Sequence, residues 1–307
     1  MAEPKKRSKK SEPAAAPPPW WRSTTFRLSA MGLVIGFACG MAAYGWSKLS
    51  DRILGHGRFV LRPAMIESTP QPKWIHGDVK AQVFDKAELA GVSMLDPQAA
   101  VKVNNAFALH TWVAEVKEVR KYAGPRIVVD LVYRRPTAMV EVLDLHGERG
   151  LLPVDDHGVL LPPEDFSPTK ALEFPRIAID YTQPAGGVGA GWGDPRVASA
   201  AAVAAALLDD WSALKLYRVR SMAGSSARSS DTPQFDIVTR EGALLIWGRP
   251  PGRETAGEAT ASQKVERLKA YVAKHGPLDQ QLPLELDLRD ASALSRRTAS
   301  GERELLR

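Results

Sequence analysis

One cysteine, Cys39, stands in the 307-residue chain, which excludes an intramolecular disulfide and any site built from several thiolates. Six histidines, at 56, 76, 110, 146, 157 and 275, never recur at the H-x-x-x-H or H-x-H spacing that places two imidazoles on one ion. No G-x-S-x-G elbow is present, so serine chemistry of the hydrolase kind has no nucleophile in its usual setting. The glycine-rich stretch 186–193 sits where a phosphate-cradling loop would, but it fails the G-x-G-x-x-G register. Gly187 and Gly189 require glycine at 192, which is Trp192, and Gly189 and Gly191 require it at 194, which is Asp194. Asp155, Asp156 and His157 are consecutive, and three consecutive residues of a strand end cannot all face one metal; they read as a solvated turn. The expectation is a protein without catalytic residues, metal or cofactor, and without a small-molecule substrate.

Basic charge is plentiful but local. Seven basic residues against two acidic ones lie in positions 1–27, so five of the six net positive charges belong to that stretch. A nucleic-acid-binding face over the rest is therefore not expected. Residues 28–47 carry no charge for 20 positions, long enough as a helix to cross the roughly 30 Å apolar core of a bilayer. With the larger Lys/Arg count before it, this stretch predicts a transmembrane helix with its N-terminus in the cytoplasm and the remainder extracytoplasmic. The competing reading is a cleaved leader, given Met41-Ala42-Ala43. Gly32, Gly36 and Gly40 form a small-xxx-small stripe, readable as a helix-packing face or as the ordinary frequency of glycine in such segments.

The remainder predicts an α+β protein in two parts. A basic disordered tail (1–27), the apolar helix (28–47) and a tether (48–57) precede a first domain, 58–135. It comprises a strand at 58–66 broken by Pro63, helices at 78–89 and from 96, and strands at 112–122 and 126–133. Asp96-Pro97 reads as an N-cap followed by the favoured first helical residue, with Ala100, Val103 and Phe107 on the inward face. In 126–133, Ile127, Val129, Leu131 and Tyr133 alternate onto one face, and Pro136 should stop or shift the pairing. A second mixed α/β domain, 136–290, with a mainly antiparallel sheet, begins with strands at 138–143, 151–154 and 159–161 around the turn Asp155–Gly158. Asp194-Pro195 starts an alanine-rich helix with Val197, Ala201, Ala205 and Leu208 inward. Strands at 214–221, 235–240 and 243–247 follow, then a helix at 262–275. Leu284, Glu285, Leu286, Asp287, Leu288 and Arg289 alternate strictly, which predicts a half-buried last strand. Lying last, it is either an open edge able to take up a partner strand or a central strand already paired on both sides. Residues 291–307 are left as a tail.

This order resembles the FtsQ/DivIB cell-division proteins. The likeness rests on Asp96, Trp112-Val113 opening a strand, a strand ending at Arg134-Arg135-Pro136, Val154-Asp155 with Gly158-Val159, the arm Gly242 to Gly248, Lys264 with Leu268, and Asp287-Leu288-Arg289. The sequence departs from the family pattern near Ile66, where a V-x-G is usual, and at Asp290, where an aromatic is common. The resemblance implies a single-pass inner-membrane protein with a POTRA-like β-α-α-β-β domain. Its role would be a non-enzymatic divisome scaffold at the septum, helping control septal peptidoglycan synthesis. It implies FtsB/FtsL-type single-pass coiled-coil proteins and other divisome membrane proteins as partners, docking on the last strand. The alternatives are a POTRA-containing binding module of a secretion or envelope-assembly system, or an exported cell-wall enzyme.

Overall fold

The structure is a computed structural model and describes residues 24–54, 59–143, 147–222, 232–297 and 303–306. The basic tail up to residue 23 and residues 55–57 of the expected tether lie outside the described residues, whereas residues 24–27 of that tail and 48–54 of that tether are helical. The chain divides into two compact units, Met1–Val60 with Ser93–Asp96, and Leu61–Val92 with Pro97–Arg307.

The first unit contains one long helix, α1 (Thr24–Leu54). The expected transmembrane helix at 28–47 is corrected: among the described residues no helix is long and apolar enough to cross a membrane. The uncharged run is interrupted by Gly32, Gly36, Gly40 and Gly45 and by Ser29, Tyr44, Trp46 and Ser47, and Lys48 closes it. The orientation argument that rested on this span falls with it. At Gly32, Gly36 and Gly40 a Cβ would meet nothing within 4 Å, so the stripe packs on nothing described.

The second unit is α+β with two sheets. The smaller has strand order β1-β3-β2, where β1 is Ile66–Ser68, β2 Val113–Tyr122 and β3 Arg126–Tyr133. β1 runs parallel to β3, and β2 antiparallel to it. Between β1 and β2 come α2 (Val79–Lys86), capped by Asp78 accepting from the Ala81 amide, and α3 (Ala99–Ala108). The order strand, helix, helix, strand, strand is as the sequence predicts, with two shifts. The strand expected at 58–66 does not form there: Val60 makes only an isolated bridge to Ser93, Pro63 begins a short 3-10 turn (Pro63–Met65), and the first strand follows at Ile66–Ser68. The second helix begins at Ala99 behind Gln98, so Asp96 does not cap it. Ile127, Val129 and Leu131 from β3 and Val83, Val103 and Phe107 from the helices are all buried.

His110, just after α3, is buried and held in one tautomer. Its Nδ1 accepts from the Trp112 amide at 3.2 Å, so its Nε2 carries the proton given to Gln82 Oε1 at 3.1 Å. Burial first, and the Lys86 charge second, hold its pKa below the ordinary 6.5. Between the two pKa values the unfolded chain binds the proton preferentially. This contribution to stability is therefore complete above about pH 6.5 and is lost as the pH falls. Thermal melting from pH 7.5 to 5.5 is expected to show a falling midpoint whose slope shrinks in His110→Asn, where Oδ1 still accepts the amide. An equal slope in both proteins would contradict the assignment.

The larger sheet has nine strands in the order β12-β11-β10-β9-β8-β7-β6-β4-β5. They are β4 (Pro136–Leu143), β5 (Arg149–Asp155), β6 (Arg176–Ala178), β7 (Leu216–Ser221), β8 (Phe235–Thr239), β9 (Leu244–Gly248), β10 (Glu285–Asp287), β11 (Leu294–Arg297) and β12 (Arg303–Leu306). Five of the neighbouring pairs are antiparallel, while β4–β6, β6–β7 and β9–β10 are parallel. Pairing does change at Pro136: β3 ends in the small sheet and β4 begins in the large one, with an irregular register between Pro136 and Ala138. Residues 159–161 form only isolated bridges, Val154 to Leu160 and Val159 to Gly191.

Three helices accompany this sheet: the single turn α4 (Pro168–Ala171), α5 (Pro195–Leu207) and α6 (Ala261–His275). Asp194 caps α5 as predicted, but the buried stripe is Val197, Ala200, Ala201, Ala204 and Leu207; Ala205 and Leu208 are only half-buried. Small residues there let the helix sit close on the sheet. Thr260 and Gln263 form a capping box on α6, which buries Val265, Leu268 and Tyr271. Both helices pack onto one core with Phe235, Ile237, Leu245, Trp247 and Leu286.

Candidate partner-binding surface

The residues predicted to dock a partner occupy β10 and its flanks. Leu284, Leu286 and Leu288 point into the core and are buried. Glu285 takes an ion pair from Arg297 at 3.1 Å, and Asp287 accepts twice from the Arg289 guanidinium, at 2.9 and 2.7 Å. β10 pairs with β9 on one side and β11 on the other, so it is a central strand and its backbone is not an open edge. Of the two readings the sequence leaves open, the paired one holds.

The edge lies farther on. β11 and β12 arise within the segment expected to be tail and extend the sheet by two strands. Among the described residues, β12 ends the strand order on this side, with β11 its only neighbour. Leu306 packs against the core, while Leu305 on the opposite face is 60 % exposed and Glu304 is exposed. Four residues reading R-E-L-L carry no alternation long enough to announce a strand, so the sequence reading missed it.

Behind this edge, a buried ion pair fixes β9 and the loop before α6. Lys264 on α6, with no exposed surface, places Nζ 2.8 Å from Glu258 Oε1 and 5.1 Å from the Trp247 ring centre. Glu258 also accepts from the Arg249 amide at 2.9 Å. Burial alone would raise the Glu258 pKa, but the Lys264 hydrogen bond, the Arg249 amide and the Lys264 charge outweigh it and hold it below the ordinary value. Gly248 has φ +88, and a Cβ there would lie 2.5 Å from Glu258 Oε1 and 2.8 Å from Arg289 Cγ. Only glycine lets these groups close over the strand. A lysine sealed from solvent and neutralised by a carboxylate is placed to hold structure, not to exchange protons with a substrate.

No protein-family model matches the chain, and neither does any curated protein. The reading of function therefore rests on the residues themselves.

The other motifs resolve as structure. Asp155 is buried and accepts from Arg134 Nη1 at 2.7 Å and from the His157 and Val159 amides at 3.0 and 2.8 Å. Asp156 pairs with His157 at 2.8 Å on the surface. Contrary to the expectation from sequence, the ligand atoms of these three residues do converge within 4.8 Å of one another and Asp155 is not solvated, though its carboxylate is already engaged by three donors. Gly158, at φ +73, passes so close to α5 that a Cβ would stand 2.7 Å from Ala198 Cα. In the glycine-rich loop, the Gly189, Ala190 and Trp192 amides donate to Leu160, Gly187 and Gly158 carbonyls, leaving no cradle of free amides at those positions. Trp192 is buried and donates to Thr182 at 2.7 Å.

Arg134 and Asp155 also join the two sheets. Trp74 Nε1 donates to the Arg134 carbonyl at 3.0 Å, and Trp112 Nε1 to Asp165 Oδ2 at 2.8 Å. The Trp112 ring lies 6.3 Å from Phe166, itself 5.8 Å from Phe174. Arg134 thus ties the end of the small sheet to the first hairpin of the large one, Trp112 ties it to the turn Pro163–Asp165, and Trp74 braces Arg134 from within the small module.

Proposed function

We propose that the protein is a non-enzymatic scaffold of bacterial cell division, of the kind its FtsQ/DivIB-like motif order implies. In this reading it works at the division septum, on the extracytoplasmic side, and helps control septal peptidoglycan synthesis. It gathers FtsB/FtsL-type coiled-coil proteins and other divisome membrane proteins. The observation that carries the reading is the open edge at β12, where a row of backbone donors and acceptors and the exposed Leu305 stand ready for strand addition. The POTRA-like identity of the small module belongs to the same proposal and is supported by its β-α-α-β-β order.

Docking on β12 is tested by ending the chain before Arg303, and separately by Leu305→Asp. Affinity capture of the coiled-coil partners from a detergent extract is expected to fall sharply in both, with thermal melting little changed in Leu305→Asp and lowered in the truncation, which removes Leu306 from the core. Capture at the wild-type level by the folded truncated protein would rule β12 out.

A further inference from the structure

Where β7 begins, inside the large sheet between β8 and β6, three arginines gather round one tyrosine. Tyr217 is the extra residue of a bulge, since Leu216 pairs with Thr239 and Arg218 already with Val238. Two positions before it stands Lys215, a non-glycine residue at φ +54. A left-handed residue just before a bulge is a local arrangement that re-aims a side chain, and here it presents the Tyr217 ring. The Arg176, Arg218 and Arg240 guanidinium carbons lie 4.9, 5.1 and 5.3 Å from the ring centre. Arg176 donates to the Tyr217 hydroxyl at 2.8 Å.

The charges do not balance. Glu141 is the one carboxylate among them, 2.9 Å from Arg218 and 3.7 Å from Arg176. Its near oxygen is not aligned as a hydrogen bond, and the Nε groups of Arg176 and Arg218 are buried without an acceptor. No carboxylate among the described residues pairs with Arg240. Among the described residues, three guanidiniums stand against one carboxylate, which leaves positive charge and donors unmatched. Guanidinium forks stacked on an aromatic ring suit a carboxylate.

Arg176, Tyr217, Arg240 and Leu172 line a hollow of about 280 Å³. Leu172, Tyr217 and Arg240 also wall a second hollow of about 570 Å³, whose floor includes Phe174, Trp211 and Leu216. The two adjoin through these shared residues and form one groove, cationic at one end and aromatic at the other. Glu173, Glu241 and Asp279 also line the larger hollow, the last paired with Lys215 at 3.0 Å, so a second anion is unwelcome there.

We propose that this groove receives an acidic peptide segment of a partner protein, with a carboxylate on Arg240 and Arg176 and an apolar side chain against Phe174 and Trp211. The charge and the division into two compartments argue for a peptide, and the site is separate from β12 and does not depend on the scaffold reading. The test uses the full chain and fluorescence anisotropy with two labelled probes, Asp-Glu-Gly-Leu-Phe-amide and its reversed sequence. At least one probe is expected to bind saturably. Arg240→Gln is expected to weaken it about tenfold or more, because a hydrogen bond to a charged group is worth about that. A probe with Asn-Gln in place of Asp-Glu should fail in the unaltered protein, and Arg297→Gln, on β11, should change nothing. Four results would overturn the proposal: no saturable binding of either acidic probe, equal binding of the amide probe, equal binding by Arg240→Gln, or equal binding of a probe with serines in place of Leu-Phe. The last would leave a plain anion site.

Discussion

Glu258→Ala is expected to destabilise the protein by about 3–5 kcal/mol, the usual cost of leaving one member of a buried ion pair without its partner. Lys264 has no exposed surface, so its ammonium cannot turn to water when Glu258 is removed. The Arg249 amide loses its acceptor in the same substitution. At about 2–4 °C per kcal/mol for a domain of this size, the melting midpoint should drop by roughly 10 °C. Glu258→Leu combined with Lys264→Met removes both charges at similar volume and is expected to recover most of the loss. The pH dependence supplies a second check. Because the Glu258 pKa is depressed, the pair contributes stability above the ordinary carboxylate value of 4.5 and loses it as the pH falls through the folded-state value. The double variant should lack that part of the acid sensitivity. A loss below about 1 kcal/mol for Glu258→Ala, the size of an exposed ion pair, would mean that the pair is hydrated and not buried.

Asp155→Ala is expected to cost a similar amount, about 3–5 kcal/mol, for a different reason. It strips the acceptor from Arg134, whose side chain is 17 % exposed, and from two hairpin amides at once. Asp155→Asn keeps an acceptor for the amides but gives up the ion pair, and should cost about 1–3 kcal/mol. Hydrogen exchange localises the effect: protection should fall at the hairpin after β5 and at the end of β3, where Arg134 and Trp112 stand. Urea midpoints for both variants indistinguishable from wild type would show that the joint carries no energy.

Much of the fold is legible locally because its signals are local. Asp78 and Asp194 cap helices through their own side chains, Gly242 and Gly276 end a strand and a helix, and the alternation in 126–133 needs only one buried face. The errors arise where the deciding partner is distant or the pattern short. Asp96-Pro97 has the chemistry of a cap, yet the helix begins two residues later, at Ala99. The uncharged run 28–47 meets a length rule, yet no helix among the described residues is long and apolar enough to cross a membrane. β10 alternates so regularly that it looks like the end of the sheet, and β11 and β12, four residues each, are recognisable only from their pairing. The Tyr217 cluster draws on residues 41 and 23 positions away, at Arg176 and Arg240, and no linear motif joins them. The absence of paired histidines, a nucleophile elbow and a phosphate loop is read directly from the sequence, and it directs attention to surfaces.

The central claim is that the protein serves the division site as a scaffold. A fluorescent fusion that supports normal growth, imaged in dividing cells of the organism that encodes it, tests this most directly. The account predicts a band at midcell that appears with constriction; a uniform distribution throughout the division cycle would contradict it.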